Sequence, residues 1–201
     1  MRAEAAILTV EPGFQEPVDD ANQVFRLVLK ALAHPGTIVR IDRPAAVPPG
    51  RLGRAAIGAA LTLADFETPV WLDVAAAPAA PHLRFHCNCP IAASPDRATF
   101  VLVADAGRPP ELEALPLGSD AYPDQGATLV IEVADLTADG DLLLSGPGID
   151  GSARLGVTGL PPEFWTRRAA LAPLFPCGLD ILLTAGDRLA ALPRTTVVQR
   201  S

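Results

Sequence analysis

The feature that most constrains the fold of this chain is a pair of short apolar runs near its carboxyl end, at residues 181–184 and 189–192. Each run has the length and composition of a buried strand, and a glycine–aspartate pair lies between them, which is typical of a tight turn. We therefore predict a closing β-hairpin. Its few polar neighbours, Asp180 before the first strand and Arg194 after the second, stand at the strand boundaries.

The rest of the chain predicts an α/β fold with a mixed central sheet flanked by helices. Helices are expected at residues 21–33, at 52–64 and from the Pro161-Pro162 pair onward, because their apolar residues recur at helical spacing or because proline prefers a first turn. Strands are expected at residues 37–41, 69–74, 83–86, 99–103, 127–133 and 141–144. A polar turn at Asp139-Gly140 predicts a hairpin that joins the last two strands, so we expect the middle of the sheet to be mixed.

Composition favours one soluble globular domain over residues 1–201. Apolar residues make up 49% of the chain and aromatic residues only 5%, which suits helices packed closely on a sheet. The net charge of −7 argues against a nucleic-acid partner, since binding to phosphate backbones needs clustered cations. The longest uncharged apolar run, residues 55–64, is half of a membrane span. The first eleven residues lack a signal-peptide core, so we expect a cytoplasmic protein with no membrane partner.

One helix places cations in a row. Arg26 and Lys30 follow Asn22 at steps of four on the polar side of the helix at residues 21–33. Such a row is either an ordinary solvated face or a binding surface for an anion or a partner. Lys30 is the only lysine, and a pyridoxal-phosphate enzyme needs a lysine in a pocket to form its Schiff base. We therefore expect no such cofactor.

A second group of candidates lies in and after the strand predicted at residues 83–86. Arg84 and His86 are possible ligand or partner contacts, and His86 is either a general base or a hydrogen-bonded interior residue. Cys87 and Cys89 are separated by one residue, which is closer than the usual spacing of zinc ligands, so we expect no metal site. The odd count of three cysteines fits reduced thiols.

The residues that flank the closing hairpin are the remaining candidates. Asp180 either caps the backbone near Pro176 and Gly178 or pairs with Arg194. Arg194 and Thr195 supply a guanidinium fork and a hydroxyl, which suit a phosphate, a carboxylate or an acidic group of a partner. No arrangement of these residues identifies a catalytic group.

Several motifs together resemble the PhnH family, the H subunit of the carbon–phosphorus lyase system of phosphonate metabolism. The match runs from about residue 18 to residue 198, in order and with compatible spacing. Its motifs lie at residues 25–36, 61–72, 85–90, 126–129, 146–149, 175–184 and 192–196. The cysteines at 87, 89 and 177 depart from the family, which more often has small or aliphatic residues at these positions.

This resemblance implies a fold like the large domain of the pyridoxal-phosphate-dependent transferases, without the cofactor site. It also implies a homodimer that assembles with the G, I and J subunits, and a noncatalytic part in forming ribose 1-methylphosphonate 5-triphosphate and adenine from ATP and methylphosphonate. The nucleosidase chemistry is attributed to the I subunit. The alternative is a stand-alone phosphonate- or ribose-phosphate-binding protein or enzyme that uses Arg26, Lys30, Arg84 or Arg194.

Overall fold

The computed structural model describes residues 10–200, which form four α-helices and nine β-strands. Most of the N-terminal segment considered for a signal peptide lies outside these residues. The helices are α1 (Pro17–Ala33), α2 (Arg54–Leu63), α3 (Ala80–Cys87) and α4 (Pro162–Ala170). The strands are β1 (Val39–Arg40), β2 (Val70–Leu72), β3 (Phe100–Val103), β4 (Thr128–Glu132), β5 (Asp135–Ser145), β6 (Ala153–Thr158), β7 (Asp180–Ala185), β8 (Arg188–Leu192) and β9 (Val197–Arg200).

Two sheets organise these strands. The larger has the order β1-β8-β7-β4-β3-β2, and the smaller has the order β6-β5-β9. In the larger sheet β2, β3, β4 and β7 run parallel, whereas β8 and β1 are antiparallel to their neighbours. The α/β class and the mixed sheet are therefore confirmed, and so is the closing hairpin, which is β7–β8. The antiparallel strands lie toward one edge of the sheet, however, and not in its middle.

Successive side chains of a central strand point to opposite faces of the larger sheet. The core is therefore divided into two separate hydrophobic layers. In β3, Leu102 packs into the layer beneath α1, α2 and α3, while Val101 and Val103 point into the opposite layer beneath α4 and the smaller sheet. All three side chains are fully buried, as expected for a strand that is covered on both faces. The larger sheet is thus the middle of three layers.

Helix α2 can approach its neighbours closely because most of its side chains are small. Its alanines and Gly58 are buried, and a β-carbon at Gly58 would collide with the carbonyl oxygen of Arg43. The helix was predicted from the same small residues. Helices α1 and α4 also occur where they were expected, although α1 begins four residues earlier, at Pro17.

The strand predicted at residues 83–86 is wrong, because these residues belong to helix α3. Four residues are too few to distinguish alternation from helical spacing, and Pro81 in the first turn favours a helix. The helix ends at Asn88, which adopts the left-handed conformation that asparagine tolerates. Arg84 and His86 therefore project from a helix.

The hairpin predicted at Asp139-Gly140 is also wrong. These residues lie within the long strand β5, in the stretch between Thr137 and Leu142 where its register with β6 shifts. Strand β5 pairs with β6 and β9 in the smaller sheet, whereas β4 belongs to the larger one. Strands β6 and β9 had not been predicted from the sequence.

Candidate functional site

The two polar residues at the ends of the closing hairpin form an ion pair. Nη2 of Arg194 donates to Oδ2 of Asp180 at 2.7 Å, and Nε donates to Oδ1 at 3.3 Å. The backbone N–H of Arg194 also donates to Oδ1 at 2.9 Å. Because β7 and β8 are antiparallel, the start of one strand and the end of the other meet at the same edge of the sheet. The pairing that the sequence had left open is thus the arrangement in the structure.

Arg194 is almost fully engaged inside the protein. Its Nη1 donates to the carbonyl oxygens of Pro123, at 2.5 Å, and Pro176, at 3.3 Å. Gly126 leaves space for the guanidinium, since a β-carbon there would lie 3.2 Å from both Nη atoms. The side chain of Arg194 thus makes four hydrogen bonds and is only 16% exposed. It connects the segments that contain Pro123 and Pro176 to the start of β7, and it has little capacity left to bind an external anion.

A cavity of about 480 Å³ opens beside this ion pair. It lies between α4, the start of β7 and the segment that links β8 to β9, and Arg194 and Thr195 line it. Its other walls are mostly apolar, formed by Leu112, Leu171, Ala172, Phe175, Leu179, Ile181, Val197 and Val198. A volume of this size accommodates a small molecule or a few side chains of another protein.

The charged group of this cavity that had not been predicted as a candidate is Arg168 on α4. Its Nη1 and Nη2 each donate at 2.9 Å, to the carbonyl oxygens of Thr196 and Pro193 respectively. Its Nε has no partner, and neither has Oγ1 of Thr196, a residue that is only 3% exposed and also lines the cavity. Burial lowers the pKa of Arg168 to about 10, opposed by the nearby charge of Asp180, and the group remains cationic at neutral pH.

The sequence did contain a signal for Arg168. It follows Phe164 by four residues and precedes Leu171 by three, so it falls on the apolar face of α4. A charged residue on such a face is unusual and indicates a buried partner or a site.

Arg26 and Lys30 are not brought to this cavity. They lie exposed on α1, which packs against α2, β1 and β8 on the opposite side of the larger sheet. Nε of Arg26 donates to Oδ1 of Asn22 at 2.9 Å, within the row that the sequence had indicated. Within residues 10–200, neither cation forms an ion pair.

Arg84 and His86 are likewise exposed on α3, in the same helical layer. Nε2 of His86 lies 3.0 Å from the carbonyl oxygen of Glu11, and its ring centroid is 4.5 Å from that of His82. His82 is buried, and both its ring nitrogens lack a partner. Burial, followed by the charge of His86, lowers the pKa of His82 to about 4, so the ring is neutral near pH 7.

The cysteines behave as packed thiols. Cys87 and Cys89 interact with each other, which raises the pKa of Cys87 and lowers that of Cys89. Sγ of Cys177 lies 3.8 Å from Oδ1 of Asp120. In the part of the chain that the structure describes, no cluster of three or more His, Cys, Asp or Glu residues is arranged to hold a metal ion, and no helix is long and apolar enough to cross a membrane.

Comparison with known proteins gives a match over nearly the whole described chain. Residues 12–199 match the family model described as bacterial phosphonate metabolism protein (PhnH). The chain belongs to the PhnH family. The alpha-D-ribose 1-methylphosphonate 5-triphosphate synthase subunit PhnH of Rhizobium meliloti (strain 1021) is 38% identical to it over 189 residues, which cover 93% of this chain and 94% of that protein. A putative C-P lyase subunit protein, HtxG of Stutzerimonas stutzeri, is 45% identical over 105 residues, or 52% of each chain.

Three of the motifs that carried the PhnH resemblance meet at the Asp180–Arg194 pair. The segment at 126–129 begins with the glycine beside the guanidinium, and the segments at 175–184 and 192–196 supply the two charged partners. In this PhnH-family chain the three motifs therefore together form the surroundings of one ion pair. The motifs at 175–184 and 192–196 also line the cavity that contains Arg168.

Proposed function

We propose that this chain is a subunit of the carbon–phosphorus lyase core complex of phosphonate catabolism. In this role it is required for the formation of alpha-D-ribose 1-methylphosphonate 5-triphosphate from ATP and methylphosphonate. The observation that carries the proposal is the 38% identity, over 93% of the chain, to a protein named as a subunit of that synthase. The second relative, which is named as a putative C-P lyase subunit, also supports the proposal.

We infer further that the chain itself is noncatalytic. Ligands of open α/β sheets usually bind at the carboxyl ends of the parallel strands. Here two of the carboxylates at those ends, those of Asp73 and Glu132, are engaged in the fold. Asp73, after β2, accepts the backbone N–H groups of Ala76, Ala104 and Asp105 at 2.7–3.0 Å. The carboxylate of Glu132, in β4, accepts bonds from Thr184 and Gly186.

The proposed architecture is a single domain, related to the large domain of the pyridoxal-phosphate-dependent transferases without their cofactor site. Four parallel strands with helices on one face support this relationship. The only lysine, Lys30, lies exposed on α1 and away from the cavity. We expect the chain to be cytoplasmic and to form a homodimer when alone.

The G, I and J subunits of the complex are the partners that we propose. Size-exclusion chromatography with light scattering tests this assembly directly, on the chain alone and co-expressed with the three subunits. A species with twice the mass of one chain, which moves into a larger stoichiometric complex, is the expected result.

The functional test is reconstitution of the synthase with and without this chain. Adenine release from ATP in the presence of methylphosphonate should depend on the chain, with heat-denatured chain as the control. Equal release without it would refute the requirement.

The alternative, a stand-alone protein that binds a phosphonate or a ribose phosphate, needs several cations in one site. In the structure the candidate cations do not all lie in one site. Arg26, Lys30 and Arg84 lie in the helical layer, whereas Arg194 is engaged with Asp180 on another side of the sheet. Isothermal calorimetry with methylphosphonate, ATP or ribose 5-phosphate should therefore give no binding heat. A saturable heat that is lost in Arg26→Ala or Lys30→Ala would favour the alternative.

A further inference from the structure

The cavity beside the hairpin opens among apolar side chains that the fold leaves in solvent. Phe175 and Val197 line it and are 64% and 50% exposed, and the neighbouring Leu174 is 46% exposed. Contiguous apolar surface of this kind is typical of sites that another molecule covers. A ligand confined to the cavity would leave Leu174 in water, since this residue lies outside the lining.

The polar floor of the cavity is a fixed cation that lacks an anion. Two carbonyl bonds hold the guanidinium of Arg168 in place, and three of its five N–H donors remain, including that of Nε. Within residues 10–200 no carboxylate lies within ion-pair distance of it. The nearby Asp180 is bound to Arg194. A carboxylate would complement this group, because guanidinium and carboxylate form strong charge-assisted bonds.

We propose that this cavity docks a segment of a partner subunit, which places an apolar side chain against the walls and a carboxylate on Arg168. The carboxylate belongs to an aspartate, a glutamate or a chain terminus. Arginine and aromatic residues in desolvated pockets are the residues that most often dominate binding energy at protein interfaces. The inference rests on the proposed function, since it needs a partner subunit.

A phosphorylated small molecule fits the cavity less well. Its charges and oxygens need several polar donors, whereas these walls are mainly apolar and Arg194 is already engaged. A segment of protein matches both the single available guanidinium and the exposed apolar rim.

Two variants with matched controls test the docking. Ala169→Glu introduces a carboxylate on α4 at an exposed position that lines the cavity, where it competes for Arg168 and narrows the opening. Ala170→Glu adds the same charge at the next exposed helical position, outside the lining. Phe175→Ser removes the aromatic rim. Phe66→Ser is its control, since Phe66 is also 64% exposed but lies outside the cavity.

The experiment measures the affinity of the full-length variants for the co-purified G, I and J subunits, with circular dichroism as the check on folding. We expect Ala169→Glu and Phe175→Ser to weaken assembly by at least about 10-fold, and both controls to assemble like the wild type. Unchanged assembly of both cavity variants would overturn the docking site while leaving the subunit function intact. Saturable calorimetric binding of methylphosphonate or ribose 5-phosphate that Ala169→Glu abolishes would overturn it in favour of a small-molecule site. A wild-type chain that stays separate from all three subunits would overturn both proposals.

Discussion

Removal of the Asp180 carboxylate should measurably destabilise the protein. The Asp180→Ala variant loses three hydrogen bonds, one from the backbone and two from the guanidinium of Arg194. Loss of one partner from a fully buried pair costs about 3–5 kcal/mol, whereas an exposed pair contributes at most about 1 kcal/mol. With side chains 28% and 16% exposed, this pair lies between these limits. We expect the free energy of unfolding to fall by about 2–3 kcal/mol.

Urea denaturation followed by tryptophan fluorescence measures this change, and a double-mutant cycle with Arg194→Met isolates the interaction itself. We expect a coupling energy of about 1–2 kcal/mol between the two sites. Asp187→Ala is the internal control, because Asp187 lies in the turn of the same hairpin and pairs at 2.7 Å with Arg40, whose side chain is 77% exposed. A coupling energy below about 0.5 kcal/mol, or equal losses in the two aspartate variants, would refute the conclusion that the Asp180–Arg194 ion pair stabilises the fold.

Three further substitutions test other parts of the structure. Gly58→Ala should lower the free energy of unfolding by about 1–3 kcal/mol, because the β-carbon of the new alanine would collide with the Arg43 carbonyl oxygen. This cost should exceed the gain from the better helix propensity of alanine. Unchanged stability in urea would contradict this packing. Because the pKa of His82 is about 4 in the folded chain and 6.5 ordinarily, the unfolded chain binds more protons between these values, so stability should fall as pH drops from about 6.5 toward 4. His82→Leu should flatten this slope in urea titrations at several pH values, and an identical slope would exclude His82 as its source. Lys30→Ala should change stability by less than about 0.5 kcal/mol, and an equimolar amount of pyridoxal phosphate should give no more Schiff-base absorbance with the wild type than with this variant.

The parts of the fold that local pattern controls were predictable from the sequence. Strand β3 is an apolar run that is buried on both faces, and the glycine between β7 and β8 lies in the turn with a φ of 65°. The interaction of Asp180 with Arg194 was one of two alternatives, because both residues stand at strand boundaries. Local sequence does not show which boundaries meet in space.

The strands that were not predicted from the sequence, β6 and β9, depend on contacts between residues that are distant along the chain. Strand β9 has only four residues, mostly exposed, and it is a strand because it pairs with β5, more than fifty residues earlier. Strand β6 is partly polar and is defined by the same long neighbour. Arg168 was placed on its helix, but the cavity beside it is formed by the chain that follows β8, which helical spacing does not indicate.

The separation of the core by the larger sheet has a consequence for how sequences in this family diverge. Adjacent residues of one strand, such as Val101 and Leu102, belong to different hydrophobic layers. Substitutions on opposite faces should therefore combine additively, whereas those within one layer constrain one another. The helical layer and the layer that borders the cavity can change at different rates, each as a set of co-varying side chains, while the strands between them keep their register.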